Sequence, residues 1–298
     1  MTFIVRAPAK INLHLRILGL RPDGYHEVLT LLQSLHLHDT LTFRPRPGPL
    51  TIRCRNPQVP AGRANLAWKA ASVLWEALGR RGEPAGAAVA IRKRIPAAAG
   101  LAGGSSDAAA ALRGLCTAWS VPAGAGWLHG LASEIGSDVP YFLNGGAAVA
   151  RGRGERIRRV PDIEPLWVVL ARPPFGVATA DAYRWFDAEQ PRRSAAEQPA
   201  CMPPGWRQTW QGLRNDLQPM VARRHPEVAF MVERLERTGA LAAAMTGSGS
   251  VVYGLFRREP AAAAARLAVR RRGWRTILTR TTGHTEFTRQ TAAVPPPG

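Results

Sequence analysis

The chain has 298 residues, 46% of them hydrophobic, and this length favours two globular domains over one. Its three cysteines, Cys54, Cys116 and Cys201, are too few and too far apart for a disulfide framework or a zinc site. No stretch approaches the roughly 20 apolar residues that span a bilayer, and the first residues lack the pattern of a secretory signal. These features predict a cytoplasmic protein with reduced thiols and without membrane insertion.

The net charge of +19 comes almost entirely from arginine, since 37 of the 40 basic residues are arginines. A charge of this size is compatible with a nucleic acid, an anionic membrane or an anionic substrate. The arginines are dispersed, and their densest runs, 156–159 and 270–272, are short, which disfavours nucleic acid as the main partner. Only three lysines occur, and two of them, Lys10 and Lys93, fall in segments that other signals also select.

The first part of the chain is predicted to be rich in strands. Apolar and polar residues alternate at three places, 11–18, 41–43 and 50–54. Asn65 is predicted to cap a helix that Gly79 ends. A short strand at 89–91 then leads into a glycine-rich loop, and two further helices are predicted at 108–119 and 127–135.

The second part begins after residue 155 and mixes helices with strands, which predicts the α+β class. Strands are predicted at 166–170, 250–256 and 274–279, and helices at 180–186, 226–238 and 260–272. Residues 187–212 read as a surface loop, and the tail 281–298 is expected to be disordered. The predicted domains are therefore 1–158 and 159–280.

The glycine-rich loop (residues 95–107) has the sequence Ile-Pro-Ala-Ala-Ala-Gly-Leu-Ala-Gly-Gly-Ser-Ser-Asp. Small residues let a backbone approach a ligand closely, and the N-terminus of the following helix favours an anion. Ser105 and Ser106 offer hydroxyls to a phosphate or to magnesium. The loop lacks the lysine of a Walker motif and the spacing of G-x-G-x-x-G. It indicates nucleotide binding, although a flexible turn with Ser106 or Asp107 as a helix cap stays open.

Together with this loop, five short segments resemble the GHMP kinases, named for galactokinase, homoserine kinase, mevalonate kinase and phosphomevalonate kinase. In the order expected for that family, the segments are 7–13 (Ala-Pro-Ala-Lys-Ile-Asn-Leu), 21–27 (Arg-Pro-Asp-Gly-Tyr-His-Glu), 135–140 (Ile-Gly-Ser-Asp-Val-Pro), 215–217 (Asn-Asp-Leu) and 246–250 (Thr-Gly-Ser-Gly-Ser). They are most similar to members that act on a cytidine diphosphate compound. The family loop usually carries glycine where this chain has Ala98 and Ala102, which leaves the conformation of the loop open.

The resemblance implies a fold and a reaction. The fold would join an N-terminal domain like ribosomal protein S5 domain 2 to a ferredoxin-like C-terminal domain, with the active site between them. ATP, with Mg²⁺, would phosphorylate the 2-hydroxyl of a methylerythritol unit linked to cytidine diphosphate, in the non-mevalonate route to isoprenoid precursors. No tightly bound cofactor is implied, and the protein would be a monomer or homodimer that binds neither nucleic acid nor membrane.

The resemblance also implies the roles of individual residues. Asp138 would be the catalytic base, and Lys10 would keep it ionised and polarise the hydroxyl. ATP would contact Lys93, Asn65 and the loop residues Pro96, Ala97, Ala98, Ala99, Gly100, Leu101, Ala102, Gly103, Gly104, Ser105 and Ser106. The substrate would contact Asn12, Tyr25, His26, Thr179, Tyr183, Gly247, Ser248 and Gly249, with its cytosine between the two tyrosines. No metal ligand is assigned among these residues.

Plainer interpretations stay open beside these roles. Asp138 could occupy a turn, Asn65 and Asp107 could cap helices, the two tyrosines could be core residues, and 247–250 could be a tight strand entry. Another GHMP kinase, with homoserine or mevalonate as acceptor, and a basic RNA-binding protein are the alternative functions. A catalytically silent relative is disfavoured because both Lys10 and Asp138 are present.

Overall fold

Residues 1–189, 201–203, 205, 206, 210 and 212–296 are described by a computed structural model. Most of the predicted surface loop 187–212 therefore lies outside the described residues. Among the described residues, no helix is both long enough and apolar enough to cross a membrane. The predicted α+β class is confirmed, with two sheets and helices packed on each.

The N-terminal sheet is built on a long hairpin. Its turn contains Pro22-Asp23-Gly24, and Gly24 has a φ of +79°, a conformation that suits glycine. The six strands are β1 (Phe3–Leu20), β2 (His26–Pro49), β3 (Thr51–Cys54), β4 (Ala85–Arg92), β5 (Ala147–Arg151) and β6 (Arg156–Arg159). They follow the order β3-β4-β2-β5-β6, with β1 paired to β2. Because β2 has 24 residues, it pairs with β5 through its first half and with β4 through its second half.

Three helices cover one face of this sheet: α1 (Leu66–Ala77), α2 (Gly103–Ala118) and α3 (Ala125–Ile135). Asn65 caps α1 as predicted, since its Oδ1 accepts a hydrogen bond of 2.9 Å from the N–H of Ala67. Gly114 lets α2 approach the sheet, because a Cβ there would lie 2.2 Å from the ring of Phe43. This close contact fixes α2, and with it the glycine-rich loop that precedes it.

The second sheet is antiparallel and has the order β10-β7-β9-β8. Its strands are β7 (Trp167–Arg172), β8 (Ala242–Met245), β9 (Val252–Phe256) and β10 (Arg275–Arg280). Val168 and Leu170 face the first sheet, whereas Val169 and Ala171 face four helices. These are α4 (Thr179–Glu189), α5 (Gln218–Arg224), α6 (Pro226–Arg237) and α7 (Glu259–Ala268). The molecule is therefore layered as helices, sheet, sheet, helices.

The expectation of a disordered tail is wrong for residues 281–296. They contain a last helix, α8 (His284–Thr291), whose Phe287 is 1% exposed and packs against Gly145. Beyond α8, Val294 pairs with Ile4 of β1. The tail looks disordered because it is polar, and one aromatic anchor gives no periodic signal. Its order depends on contacts with residues more than a hundred positions earlier in the chain.

Candidate active site

A cleft with a volume of about 1180 Å³ brings together nearly all of the predicted site residues. Its lining includes the predicted residues Lys10, Asn12, Tyr25, His26, Asn65, Lys93, Pro96, Ala97, Ala98, Ala99, Gly100, Ala102, Gly103, Gly104, Ser105, Asp138, Thr179, Tyr183, Gly247, Ser248 and Gly249. Two predicted residues, Leu101 and Ser106, do not line it, because their side chains are buried. The Ser106 hydroxyl donates to the carbonyl of Pro8 at 2.6 Å and so anchors the loop to β1.

The second half of the glycine-rich loop is the first turn of α2. The helix starts at Gly103, and its first intrahelical bond runs from the N–H of Ser106 to the carbonyl of Ala102. The N–H groups before that bond have no carbonyl partner within the helix, and the helix dipole adds positive potential there. This arrangement suits a phosphate group. The cap position is Ala102, without a side-chain bond, so the alternative of Ser106 or Asp107 as helix cap is wrong.

Ala98 and Ala102 both have left-handed backbone, with φ of +49° and +53°. These are the two positions at which the resembling family usually has glycine. The chain therefore keeps the glycine-type backbone of the loop and tolerates alanine there, at a cost of about 1 kcal/mol or more per residue. Gly100 does not tolerate alanine in the same way, because a Cβ there would lie 2.2 Å from the carbonyl oxygen of Thr246.

Lys93 is held beneath the loop by two buried carboxylates. Its Nζ lies 2.5 Å from Oδ2 of Asp39 and 2.6 Å from Oδ2 of Asp107. The other oxygen of Asp39 accepts hydrogen bonds from the N–H groups of Arg94 and Ile95. Burial opposes the charge of Lys93, but the two carboxylates outweigh it and raise its pKa. Burial raises the pKa of Asp107, and its Oδ1 has no hydrogen-bond partner among the described residues.

The side chains of Lys10 and Asp138 meet at the centre of the cleft. Lys10 Nζ lies 3.7 Å from Asp138 Oδ2, and the side chains are 5% and 38% exposed. Lys10 Nζ also donates to Oδ1 of Asn12 at 2.6 Å, and Asn12 Nδ2 donates to Thr30 at 2.8 Å. Strand alternation turns Lys10 and Asn12 towards the cleft, while Ile11 lies in the core between the sheets. A fixed cation therefore lies beside an accessible carboxylate.

The turn of 247–249 is tied to both β1 and the glycine-rich loop. The backbone N–H of Asn12 donates to Oγ1 of Thr246 at 2.9 Å. Asn215 Nδ2 donates to the carbonyls of Met245 and Gly247, each at 2.8 Å. A Cβ on Gly247 would lie 3.2 Å from the carbonyl oxygen of Gly100. These contacts hold the turn at the edge of the cleft and give Asn215 a structural role.

Aromatic side chains line the opposite end of the cleft. His26 stacks on Tyr183 with 4.8 Å between ring centroids, and its Nε2 lies 2.7 Å from Oδ1 of Asp187. Tyr25 is 53% exposed, and the Arg153 guanidinium lies 4.9 Å from the centre of its ring. Nearer the middle, the hydroxyls of Thr179 and Ser248 are 3.0 Å apart.

Sequence reasoning missed three residues that shape this site. Asp187 lies at the boundary of a segment whose composition indicated a loop, and Arg153 is one of 37 arginines. Asp39 gave no signal because its role requires Lys93, 54 positions further along the chain. All three contacts join residues far apart in the chain, and the contact of Arg153 was also hidden by the arginine-rich composition.

Comparisons with known proteins identify the family. The family models for the N-terminal and C-terminal domains of GHMP kinases match residues 65–146 and 204–274. A 4-diphosphocytidyl-2-C-methyl-D-erythritol kinase of Pelotomaculum thermopropionicum is 43% identical over 94% of this chain and 98% of its own length. The same enzyme of Geobacillus thermodenitrificans is 43% identical over 87% of this chain and 90% of its own length.

A crystal structure of 4-(cytidine 5'-diphospho)-2C-methyl-D-erythritol kinase has a TM-score of 0.76 to this chain at 34% identity. The match covers 94% of this chain and 99% of that one. The two-domain architecture that the sequence resemblance implied is thereby confirmed. The chain belongs to the GHMP kinases and, among them, to the family of 4-diphosphocytidyl-2-C-methyl-D-erythritol kinases.

Proposed function

We propose that the chain transfers the γ-phosphoryl group of ATP to the 2-hydroxyl of 4-diphosphocytidyl-2-C-methyl-D-erythritol, giving the 2-phosphate and ADP. This reaction would serve the non-mevalonate route to isoprenoid precursors. The observation that carries the proposal is the position of the Lys10–Asp138 pair. The same cleft is lined by this pair, by the start of α2 and by the aromatic side chains of Tyr25, His26 and Tyr183. Membership in a kinase family makes ATP the co-substrate.

The glycine-rich loop would hold the phosphates of ATP through the N–H groups at the start of α2. Magnesium would enter with ATP and would neutralise negative charge on its phosphates. The hydroxyl of Ser105 and the unpartnered Oδ1 of Asp107 are oxygen donors of the kind that Mg²⁺ prefers, and both residues line the cleft. Lys93 would offer an ammonium N–H to a phosphate oxygen beneath the loop, where the two aspartates fix its position.

Asp138 would take the proton of the acceptor hydroxyl as that oxygen attacks the γ-phosphorus. Its exposure leaves it accessible to a substrate, and Lys10 would stabilise negative charge on the attacking oxygen. The hydrogen bond to Asn12 holds the ammonium in place before the substrate arrives. Phosphoryl transfer depends mainly on such positioning and charge stabilisation.

The aromatic pocket would bind the cytosine. A pyrimidine would stack on the face of Tyr25 that Arg153 does not cover, while His26 would hydrogen-bond its edge. Entry of the base between Tyr25 and Tyr183 requires the ring of His26 to leave its stack on Tyr183. Thr179 and Ser248 offer hydroxyls to the diphosphate and the sugar alcohol.

The direct test supplies the purified protein with ATP, magnesium and the cytidyl substrate, and follows ADP release together with the ³¹P spectrum of the product. We expect one new phosphomonoester on the methylerythritol unit for each ADP. Asp138→Asn should lower kcat by about 10² to 10⁴ while ATP binding is retained. A wild-type protein that releases ADP without a new phosphomonoester would contradict the proposal, and an unchanged rate in Asp138→Asn would remove the residue from the base role.

A further inference from the structure

A second groove, with a volume of about 1710 Å³, lies on the N-terminal sheet away from helices α1–α3. On β2, Thr40 and Thr42 face this groove, while Leu41 and Phe43, which alternate with them, face the helices. Small side chains on β2 and β4 form its floor. The second sheet covers the other part of the same face, through residues such as Ile11. The groove is thus the part of the sheet face that no other layer of the described residues covers.

Arginine side chains surround this floor. The six exposed ones are Arg44, Arg46, Arg53, Arg55, Arg92 and Arg94. Arg6 of β1 contributes a seventh guanidinium. No aspartate or glutamate lines the groove, and in the described part of the chain none of the seven pairs with a carboxylate. Seven of the 37 arginines, which lie in four separate segments of the sequence, therefore converge on one surface.

The strand register places these cations in rows. Arg6 pairs with Thr40 and Thr40 with Arg92, so two guanidinium groups flank one threonine across three strands. In the next row, Ala90 lies beside Arg53. Residues two apart on a strand, such as Arg44 and Arg46, are separated by about 6.6 Å. That distance is close to the separation of neighbouring phosphates in an extended polynucleotide.

We propose that this groove binds a single-stranded polynucleotide through its phosphates, independently of sequence. A concave surface lined by one sign of charge concentrates the opposite charge, and arginine recognises phosphate with a planar fork of donors. Among the described residues, no phenylalanine, tyrosine or tryptophan lines the groove, and His38 is its one ring, so a row of stacked bases is not expected. Threonine hydroxyls on the floor add neutral donors for phosphate oxygens.

A flat membrane surface fits this groove less well than a strand does. Peripheral membrane binding usually combines basic residues with exposed large apolar side chains. The exposed large apolar residues, which include Trp127, Phe230 and Leu267, lie outside the groove. The groove also shares only Lys93 with the catalytic cleft, where two aspartates hold that side chain. Binding in the groove is therefore separable from the kinase reaction.

The test measures fluorescence anisotropy of labelled oligo(U) and oligo(dT), each of about 20 nucleotides, at about 50 and about 200 mM KCl. The groove variant is Arg44→Gln/Arg53→Gln/Arg92→Gln, and the matched control is Arg258→Gln/Arg270→Gln/Arg272→Gln. Both remove three charges from exposed positions. Kinase rate and Tm, which neither variant should change, show that both proteins are folded.

We expect the groove variant to weaken binding at least about tenfold at low salt, and to reduce the salt slope by about 2, since each lost phosphate contact removes about 0.7. The control should stay within about twofold of the wild type. Equal losses in the two variants would overturn the proposal, because the effect would then be one of net charge. Binding to vesicles of phosphatidylglycerol and phosphatidylcholine, without binding to either oligonucleotide, would overturn it in favour of a membrane.

Discussion

At the scale of single residues, His26 and Asp187 show how one contact can prepare a side chain for a ligand. The carboxylate lies 2.7 Å from Nε2, so this nitrogen donates to it and the ring cannot turn over without losing the bond. Nδ1 is then the nitrogen left for the edge of a base. We propose that Asp187 positions His26 for the cytosine site, by keeping this bond when the ring moves off Tyr183 to admit the base.

We expect Asp187→Asn to raise KM for the cytidyl substrate about tenfold, the equivalent of about 1.4 kcal/mol, by weakening the bond that orients His26. KM for ATP should be unchanged, because Asp187 lies at the aromatic end of the cleft. Asp181→Asn is the matched control, since Asp181 is on the same helix and pairs with Arg184 at the surface. Equal effects on both substrates would show that Asp187 has only a structural role.

Lysine is used sparingly in this chain, and the structure gives a physical reason at two positions. Lys10 and Lys93 are both buried and are in contact with aspartate oxygens. A compact ammonium fits such places, whereas the larger planar guanidinium of arginine requires several acceptors. Because lysine is rare in this chain, composition could select these two lysines as candidate site residues. It could not indicate Asp39, whose role appears only when the sheet brings it to Lys93.

At the scale of elements, the sequence of the glycine-rich loop predicts phosphate binding, but it does not predict the backbone conformation of the loop. Small residues before a helix indicated an anion site, and the structure has a helix start there. The backbone angles of Ala98 and Ala102 could not be read from the sequence, because alanine rarely adopts a positive φ. They depend on neighbouring contacts, such as the approach of Gly100 to Thr246.

Ala102→Gly and Ala102→Val separate backbone strain from side-chain chemistry. Glycine relieves the backbone strain of the folded state, but it also raises the conformational entropy of the unfolded chain. Because these two effects oppose each other, we expect the free energy of unfolding to stay within about 1 kcal/mol of the wild type. Valine, branched at Cβ, should lower it by about 2 kcal/mol and raise KM for ATP. Urea unfolding and initial rates measure both. A valine variant as stable as the wild type would contradict the left-handed conformation at this position.

Helix α8 is an element that sequence reasoning missed, and one residue anchors it. We expect Phe287→Ala to lower the free energy of unfolding by about 3 to 5 kcal/mol, because it leaves a cavity against Gly145. Phe230→Ala is the control, since Phe230 is 41% exposed on α6 and should cost less than about 1 kcal/mol. Similar losses in the two variants would show that α8 is not an integral part of the core.

Much of the strand and helix pattern could be predicted, because alternation and capping are local. The strand at 166–170 and the cap at Asn65 are examples that the structure confirms. The short strands β5, β6 and β8 were not predicted, since their small or charged residues carry no period. Their existence depends on pairing, of β5 with β2, of β6 with β5 and of β8 with β9. Local sequence patterns therefore predicted the elements that carry the candidate site, whereas the short strands that depend on long-range pairing could not be predicted.

At the scale of the whole molecule, two sheets back to back place the residues proposed to bind ATP and those proposed to bind the acceptor in one cleft. The glycine-rich loop and Asp138 come from the N-terminal half, and Thr179, Tyr183 and the turn at 247–249 come from the C-terminal half. Neither half contains a complete site. Acceptor choice is thus a property of the assembled cleft, and it is the central claim to be tested.

The most direct test compares kcat/KM of the purified protein for the cytidyl substrate, homoserine, mevalonate and galactose at saturating ATP and magnesium. The aromatic pocket and its hydrogen bonds should favour the cytidyl substrate at least about a thousandfold over each of the others. Tyr25→Ala should narrow that preference and leave KM for ATP unchanged. Turnover of homoserine or mevalonate that equals or exceeds turnover of the cytidyl substrate would contradict the account.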